Sequence, residues 1–147
     1  MKIIFDYNRT LFDPEKGGLY SGVYEILEKL SKKHKLFLIS YNEFGREKFM
    51  KDVGIEKFFA NISLVENKDK ISMLALTGGL NFSEIIFVIG DSLRDEITVG
   101  NELGYETVWL KKGKFASEKP RNEKENPKYI INELEEIFEI LNNYQKK

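Results

Sequence analysis

The sequence contains no cysteine, only three prolines and a single histidine, His34. The absence of cysteine excludes disulfides, thiolate metal sites and cysteine nucleophiles, and one imidazole cannot form a site that needs several. No apolar run approaches the roughly 20 residues of a membrane span, and the N-terminus lacks the layout of a signal peptide. The formal net charge is only -1, so no strong field favours nucleic acid or an anionic membrane. We therefore expect a cytoplasmic protein with neither a membrane nor a nucleic-acid partner.

What the sequence does contain is typical of a soluble globular protein. Of its 147 residues, 41% are hydrophobic and 32% are charged, a balance that separates it from disordered chains. This length is typical of one domain whose hydrophobic core is large enough to be stable without covalent cross-links. We expect a single domain over residues 1–147.

Short apolar runs alternate along the chain with stretches whose apolar residues recur every three or four positions. Predicted strands lie within residues 3–5, 36–39, 62–65, 85–89 and 107–110. Predicted helices lie between them, including one over 43–53 with Asn42 as N-cap and Gly54 as its stop, and a last one whose apolar face runs from Ile130 to Leu141. Residues 111–127 are polar and are predicted to form a surface loop. Strands that are apolar throughout are covered on both faces of their sheet. The pattern therefore predicts a three-layer α/β fold, with helices on both faces of a mostly parallel sheet. This arrangement is doubly wound and Rossmann-like.

Polar side chains follow the predicted strands at the points where the strands end. They comprise carboxylates, a hydroxyl and ammonium groups: Asp6, Ser40, Lys68, Lys70, Asp91 and Asp95. In open parallel sheets, ligands bind beyond the carboxyl ends of the strands. Three clustered carboxylates repel one another unless a cation neutralises them, and an all-oxygen ligand set favours Mg²⁺, which in such sites commonly also holds a phosphate. Asp6 could then act as a metal ligand or as a nucleophile that forms an acyl phosphate.

Four short motifs, in chain order, resemble those of the haloacid dehalogenase-like (HAD) superfamily. "FDYNRT" resembles the family's first motif, D-x-D-x-T, and "LFLIS" resembles its second motif, which ends in a hydroxyl residue. Lys70 or Lys68 corresponds to the lysine of the third motif, and "GDSLRDE" to the acidic fourth motif. The resemblance covers nearly the whole chain, and the closing "NPKYIINELEEI" is similar to the superfamily's final strand and helix. It implies a HAD-like core.

The resemblance also implies a role for each matching residue. Asp6 would be nucleophile and Mg²⁺ ligand, the backbone carbonyl of Asn8 a second ligand, and Asp91 a third with Asp95 in support. Thr10 and Ser40 would orient and bind phosphate, with Tyr41 and Asn42 beside Ser40 at the substrate. The lysine would stabilise the negative charge that develops on the transferring group. We favour Lys70 over Lys68 for this role, because "KISML" is similar to the helix start that follows the family's lysine.

The chain departs from the family pattern at Asn8, where family phosphatases usually have an aspartate that exchanges protons with the leaving group and the attacking water. Asparagine cannot exchange a proton, and loss of general acid-base help typically costs 10² to 10⁴ in rate. Three alternatives stay open. The chain could be a slow phosphatase that prefers good leaving groups, or a non-catalytic module that binds phosphorylated ligands or proteins. Alternatively, an aspartate at position 8 was deliberately replaced by asparagine to trap an intermediate. Haloacid dehalogenases also lack an acid at this position, so dehalogenation is a further alternative.

Residues 11–20 are too few to form the helical cap under which small substrates are enclosed, so we expect no cap domain. An open site gives few contacts to a small molecule. The sequence therefore predicts a Mg²⁺-dependent, HAD-like phosphatase for a phosphorylated substrate that could be large or a macromolecule.

Overall fold

The computed structural model describes all 147 residues, which fold around a central sheet of six parallel strands. The six strands are β1 Lys2–Asp6, β4 Lys35–Tyr41, β5 Phe59–Val65, β6 Ile86–Gly90, β7 Glu106–Leu110 and β8 Tyr129–Ile131. Their order in the sheet is β5-β4-β1-β6-β7-β8. All five predicted strands are confirmed, and β8 is added at the edge.

Side chains alternate between the two faces of the sheet, and each face has its own core. Ile3 and Phe5 belong to a cluster of 20 buried residues, whereas Ile4 between them belongs to a separate cluster of eight. The first cluster is covered by α1 Val23–Ser31, α2 Arg46–Asp52 and α5 Ile137–Gln145, and the second by α3 Lys70–Thr77 and the α4 Thr98–Glu102 region. This is the predicted three-layer, doubly wound arrangement.

Two predicted helix boundaries are wrong. Helix α2 begins at Arg46 after Gly45, whose φ of 78° places it in the left-handed region, and Asn42 does not cap it. The N–H of Asn42 is instead bonded to the carbonyl of Val65, because the chain continues its pairing with β5 past Tyr41. Ile130 lies in β8 rather than in the last helix, as the resemblance to the superfamily's closing strand implied.

The connection from β1 to α1 contains no inserted domain. It consists of a turn and a small hairpin of β2 Phe12–Asp13 and β3 Gly18–Leu19. The carboxyl-end rim of the sheet, meaning the edge where the six strands finish, is therefore uncapped by this segment. None of the helices combines the length and the apolar composition that a bilayer-spanning segment requires.

The polar segment 111–127 is more closely packed than a free surface loop. It forms short turns at Gly113–Phe115 and Glu123–Glu125, and Glu125 is buried in an ion pair with Arg121. The carboxylate of Glu118 accepts the N–H of Leu93, so the segment is attached to the chain just after β6.

Candidate active site

Three acidic side chains converge at the carboxyl-end rim. Asp6 is the last residue of β1, Asp91 directly follows β6, and Glu96 lies one turn further on. One carboxylate oxygen from each lies within 4.8 Å of the others, and all three residues are almost fully buried. We call these residues the acid cluster. Strands β1 and β6 are paired neighbours, which is why Asp6 and Asp91 meet.

Glu96, rather than the predicted Asp95, completes the acid cluster. Residues Leu93–Ile97 form a wide π turn, in which the fifth residue after Asp91 faces inward, while Asp95 is only half-buried and stays outside the cluster. A side chain on Gly90 would meet a Glu96 carboxylate oxygen at 2.5 Å. Glycine before Asp91 thus allows the close approach of Glu96.

The structure places Lys68, and not the favoured Lys70, at the acid cluster. The Lys68 ammonium lies 2.5 Å from both Asp6 Oδ1 and Glu96 Oε1, and its side chain is 4% exposed. Lys70 is the first residue of α3, is 57% exposed and faces Glu102 at 3.6 Å. The preference for Lys70 is therefore corrected: the lysine that precedes the helix reaches the rim, and the one that begins it faces solvent.

A second cation, Arg9, reaches the acid cluster from the turn after β1. Arg9 Nε donates to Asp91 Oδ2 at 2.8 Å, and the guanidinium stacks on Phe115 at 4.7 Å. On its other side, the backbone carbonyl of Asp91 accepts the indole N–H of Trp109 at 2.9 Å. Asp91 is thus held at both its side chain and its main chain.

Thr10 and Asn8 lie in the same turn. The Thr10 hydroxyl donates to Asp6 Oδ2 at 3.2 Å, which fixes the carboxylate opposite its contact with Lys68. The side-chain oxygen of Asn8 is buried and has no hydrogen-bond partner. The predicted neighbourhood of Asp6, Asn8 and Thr10 is present.

Ser40 is the next-to-last residue of β4 and lies beside Asp6, whose register partner is Ile39. Its hydroxyl oxygen accepts from Arg46 Nη1 at 2.9 Å, and its hydrogen is donated to the carbonyl of Tyr41 at 3.1 Å. The Tyr41 ring lies 4.6 Å from the Lys68 ammonium, and Asn42 is exposed. Ser40 and Tyr41 thus border the acid cluster without joining it.

Burial and mutual repulsion raise the pKa of two members of the acid cluster, Asp91 and Glu96. Burial, followed by the Asp6 carboxylate, raises the pKa of Asp91 to about 7 despite the opposing effect of Arg9. The same two causes raise the pKa of Glu96 well above its ordinary value. Burial acts to lower the pKa of Lys68, but the Glu96 and Asp6 carboxylates outweigh it and raise that pKa. Two cations face three carboxylates, so the cluster carries an excess of negative charge when all three acids are ionised.

The residues present fit a hard divalent cation. A buried polar atom without a partner is costly, yet Glu96 Oε2 and Asn8 Oδ1 both lack one. Oxygen donors and excess negative charge are what Mg²⁺ prefers. Asp6, Asp91 and Glu96 are therefore the side chains that would hold such an ion.

Sequence reasoning missed three residues here: Glu96, Arg9 and Arg46. The i to i+5 spacing from Asp91 to Glu96 is not a regular helical spacing, so only Gly90 hinted at a close approach. Arg9 and Arg46 gave no signal, because isolated arginines are common on surfaces.

Comparison with known proteins finds similarity to HAD-like hydrolases. A family model described as HAD-hydrolase-like matches residues 68–137. The HAD-hydrolase YfnB of Bacillus subtilis is 26% identical, over 92% of this chain and 59% of that protein. The glyceraldehyde 3-phosphate phosphatase of Pyrococcus furiosus is 27% identical, over 90% of this chain and 52% of that protein. The chain thus spans little more than half the length of these curated relatives.

Solved structures show the same core. The magnesium-bound structure of YfnB superimposes with a TM-score of 0.71, covering 87% of this chain and 58% of that one. A haloacid dehalogenase-like hydrolase from Xanthomonas campestris, 12% identical, has a TM-score of 0.77 and covers 97% of this chain and 95% of its own. In sequence and in fold, the chain is therefore similar to haloacid dehalogenase-like hydrolases.

Proposed function

We propose that the protein is a Mg²⁺-dependent phosphatase that acts through an aspartyl phosphate on Asp6, with turnover limited by Asn8. The observation that carries this proposal is the buried acid cluster, in which Asp6 is oriented by Lys68 and Thr10. The P. furiosus relative, which is a phosphatase, supports the proposal. A HAD phosphatase from Thermococcus onnurineus, 20% identical, shares the fold.

In the first step, a carboxylate oxygen of Asp6 attacks phosphorus and the ester P–O bond breaks. Lys68 balances the charge that spreads over the transferring group. The leaving oxygen needs a proton, and Asn8 cannot supply one. Esters with acidic leaving groups, which depart without a proton, are therefore the favoured substrates.

In the second step, water attacks the phosphorus of phospho-Asp6, phosphate departs, and the Asp6 carboxylate is restored. The Asn8 amide oxygen can accept a hydrogen bond from this water but is too weakly basic to remove its proton. Hydrolysis of the acyl phosphate is consequently slowed as well, and phospho-Asp6 persists longer than it would beside an aspartate.

Asp6, Asp91 and Glu96, with the backbone carbonyl of Asn8 that the resemblance implies, would hold Mg²⁺. The ion would supply positive charge near the phosphate oxygens, which lowers the barrier to nucleophilic attack. The single hydrogen of Ser40 is donated to the Tyr41 carbonyl, and its oxygen accepts from Arg46 Nη1–H. When a phosphate binds, we assign that hydrogen to a phosphate oxygen in place of the Tyr41 carbonyl, with Tyr41 and Asn42 at the entrance.

The uncapped rim supports a substrate larger than a small sugar phosphate, because nothing between β1 and α1 encloses the site. A second candidate function is phospho-ligand binding without turnover. Asn8 favours it, since this residue permits binding but not proton transfer.

An assay of p-nitrophenyl phosphate hydrolysis separates the two. We expect slow, Mg²⁺-dependent hydrolysis by the native chain, a gain of about 10² to 10⁴ in kcat for Asn8→Asp, and loss of activity in Asp6→Asn. Asp95→Asn is the matched control, because it removes a neighbouring acid outside the cluster. If neither the native chain nor Asn8→Asp hydrolyses the ester, binding without turnover is the better account.

A further inference from the structure

Arg9 occupies an unusual backbone conformation at the edge of the acid cluster. It is the only non-glycine residue with positive φ, at 60°. A left-handed conformation costs an ordinary residue roughly 1–2 kcal/mol and persists only where other contacts hold it. Those contacts are the Asp91 carboxylate and the Phe115 ring.

The Arg9 guanidinium occupies one of the two carboxylate oxygens of Asp91. Asp91 Oδ2 accepts its N–H, and the Asp91 side chain is almost completely buried. The other cluster acids, Asp6 and Glu96, each contact Lys68 through one oxygen. Each of the three acids is therefore already paired with a cation of the chain itself.

The two cations differ in how easily they can leave. Lys68 is 4% exposed and lies between two acids, so it has no outward path. Arg9 is 22% exposed and also lines an open cleft of about 760 Å³ beside Pro14, Tyr20 and Lys114. This cleft gives the guanidinium room to move away from Asp91.

We propose that Arg9 is an internal competitor of the divalent cation at Asp91. In the metal-free protein the guanidinium partly neutralises the acid cluster, and a metal ion must weaken or displace this ion pair to bind. The native site then has a lower metal affinity than its three acids alone would give. This inference rests on the proposed function, because it takes Asp91 as a metal ligand.

Calorimetric titration of Mg²⁺ into four proteins tests the proposal: native, Arg9→Gln, Arg9→Lys and Arg94→Gln. Removal of one charged hydrogen-bond partner predicts that Arg9→Gln binds Mg²⁺ about tenfold more tightly than the native chain. Arg9→Lys keeps the charge and should stay within about threefold of native. Arg94 pairs with Glu118 outside the acid cluster, so Arg94→Gln controls for the general change in charge.

Circular dichroism in EDTA checks that each variant is folded, and Arg9→Gly, which suits the positive φ, serves as a second variant that removes the same charge. Equal Mg²⁺ affinity in native, Arg9→Gln and Arg9→Gly overturns this proposal and leaves the metal-dependent phosphatase intact. An equal gain in Arg94→Gln overturns it too, since the effect would then be non-specific. Absence of Mg²⁺ binding in every protein overturns both proposals.

Discussion

The two rims of the sheet differ in how their charged side chains are paired and exposed. At the amino-end rim, where the strands begin, Lys2 is 16% exposed and pairs with Glu84, which is 38% exposed. At the carboxyl-end rim, Asp6, Asp91 and Glu96 are almost fully buried and outnumber the two cations that face them. The first arrangement satisfies its charges with water nearby, whereas the second retains repulsion and an unpartnered oxygen. Repulsion kept inside a fold indicates a site where a ligand supplies the missing charge.

Replacement of Lys68, at the carboxyl-end rim, should change stability and activity more than replacement of Glu96 or Lys2. Lys68→Met leaves Asp6 and Glu96 without their shared cation, and removal of one partner from a buried ion pair costs about 3–5 kcal/mol of unfolding free energy. We also expect kcat to fall by about 10² or more, because the charge beside Asp6 is lost. Urea denaturation in EDTA at pH 8 and the aryl phosphate assay measure the two effects.

Lys70→Met is the matched control, since Lys70 is two residues away and mostly exposed. It should leave kcat within about twofold of native. A result in which Lys70→Met lowers kcat as much as Lys68→Met does would restore the assignment favoured from the sequence.

Glu96→Gln should give a smaller, pH-dependent effect. The folded pKa of Glu96 lies above its unfolded value, so between these two values the native state binds more protons than the unfolded state. Its unfolding free energy therefore falls as pH rises through that window. The glutamine in Glu96→Gln cannot ionise, so the variant lacks this loss of stability, and we expect it in EDTA to exceed the native chain in unfolding free energy by more at pH 8 than at pH 5.

Denaturation of both proteins at the two pH values provides the comparison, and contributions from His34 cancel because both chains contain it. Addition of Mg²⁺ at pH 8 should stabilise the native chain more than the variant, since binding to the folded state adds stability. A native chain that becomes more stable relative to Glu96→Gln as pH rises would contradict the assigned direction.

The smallest effect is expected at the amino-end rim. Lys2→Met removes a partly exposed ion pair and a hydrogen bond to the carbonyl of Thr77. Exposed pairs contribute little, so the melting temperature should change by no more than about 3 °C, and Mg²⁺ should not alter that difference. A Mg²⁺-dependent shift in Lys2→Met would mean that the two rims are coupled.

Much of the fold could be predicted from the sequence, because buried parallel strands are continuous apolar runs and their order along the chain limits the topology. The site was predictable only where it depended on strand ends: Asp6 ends β1, Asp91 directly follows the neighbouring β6, and Ser40 lies one residue before the end of β4 on the other side of β1. Glu96 and Lys68 could not be assigned, since a π turn and a helix start set which neighbour faces inward. Asn42 and Ile130 were misplaced because capping preference and apolar spacing are weaker than pairing with a neighbouring strand.

Trp109 is the only tryptophan of the chain, and its indole N–H is bonded to the backbone carbonyl of Asp91. Indole emission depends on the local field and on hydrogen bonding at this nitrogen. The protein therefore carries an intrinsic optical reporter next to the residue at which an entering ion and Arg9 would compete. Fluorescence of the unlabelled chain can consequently follow occupancy of the acid cluster in real time.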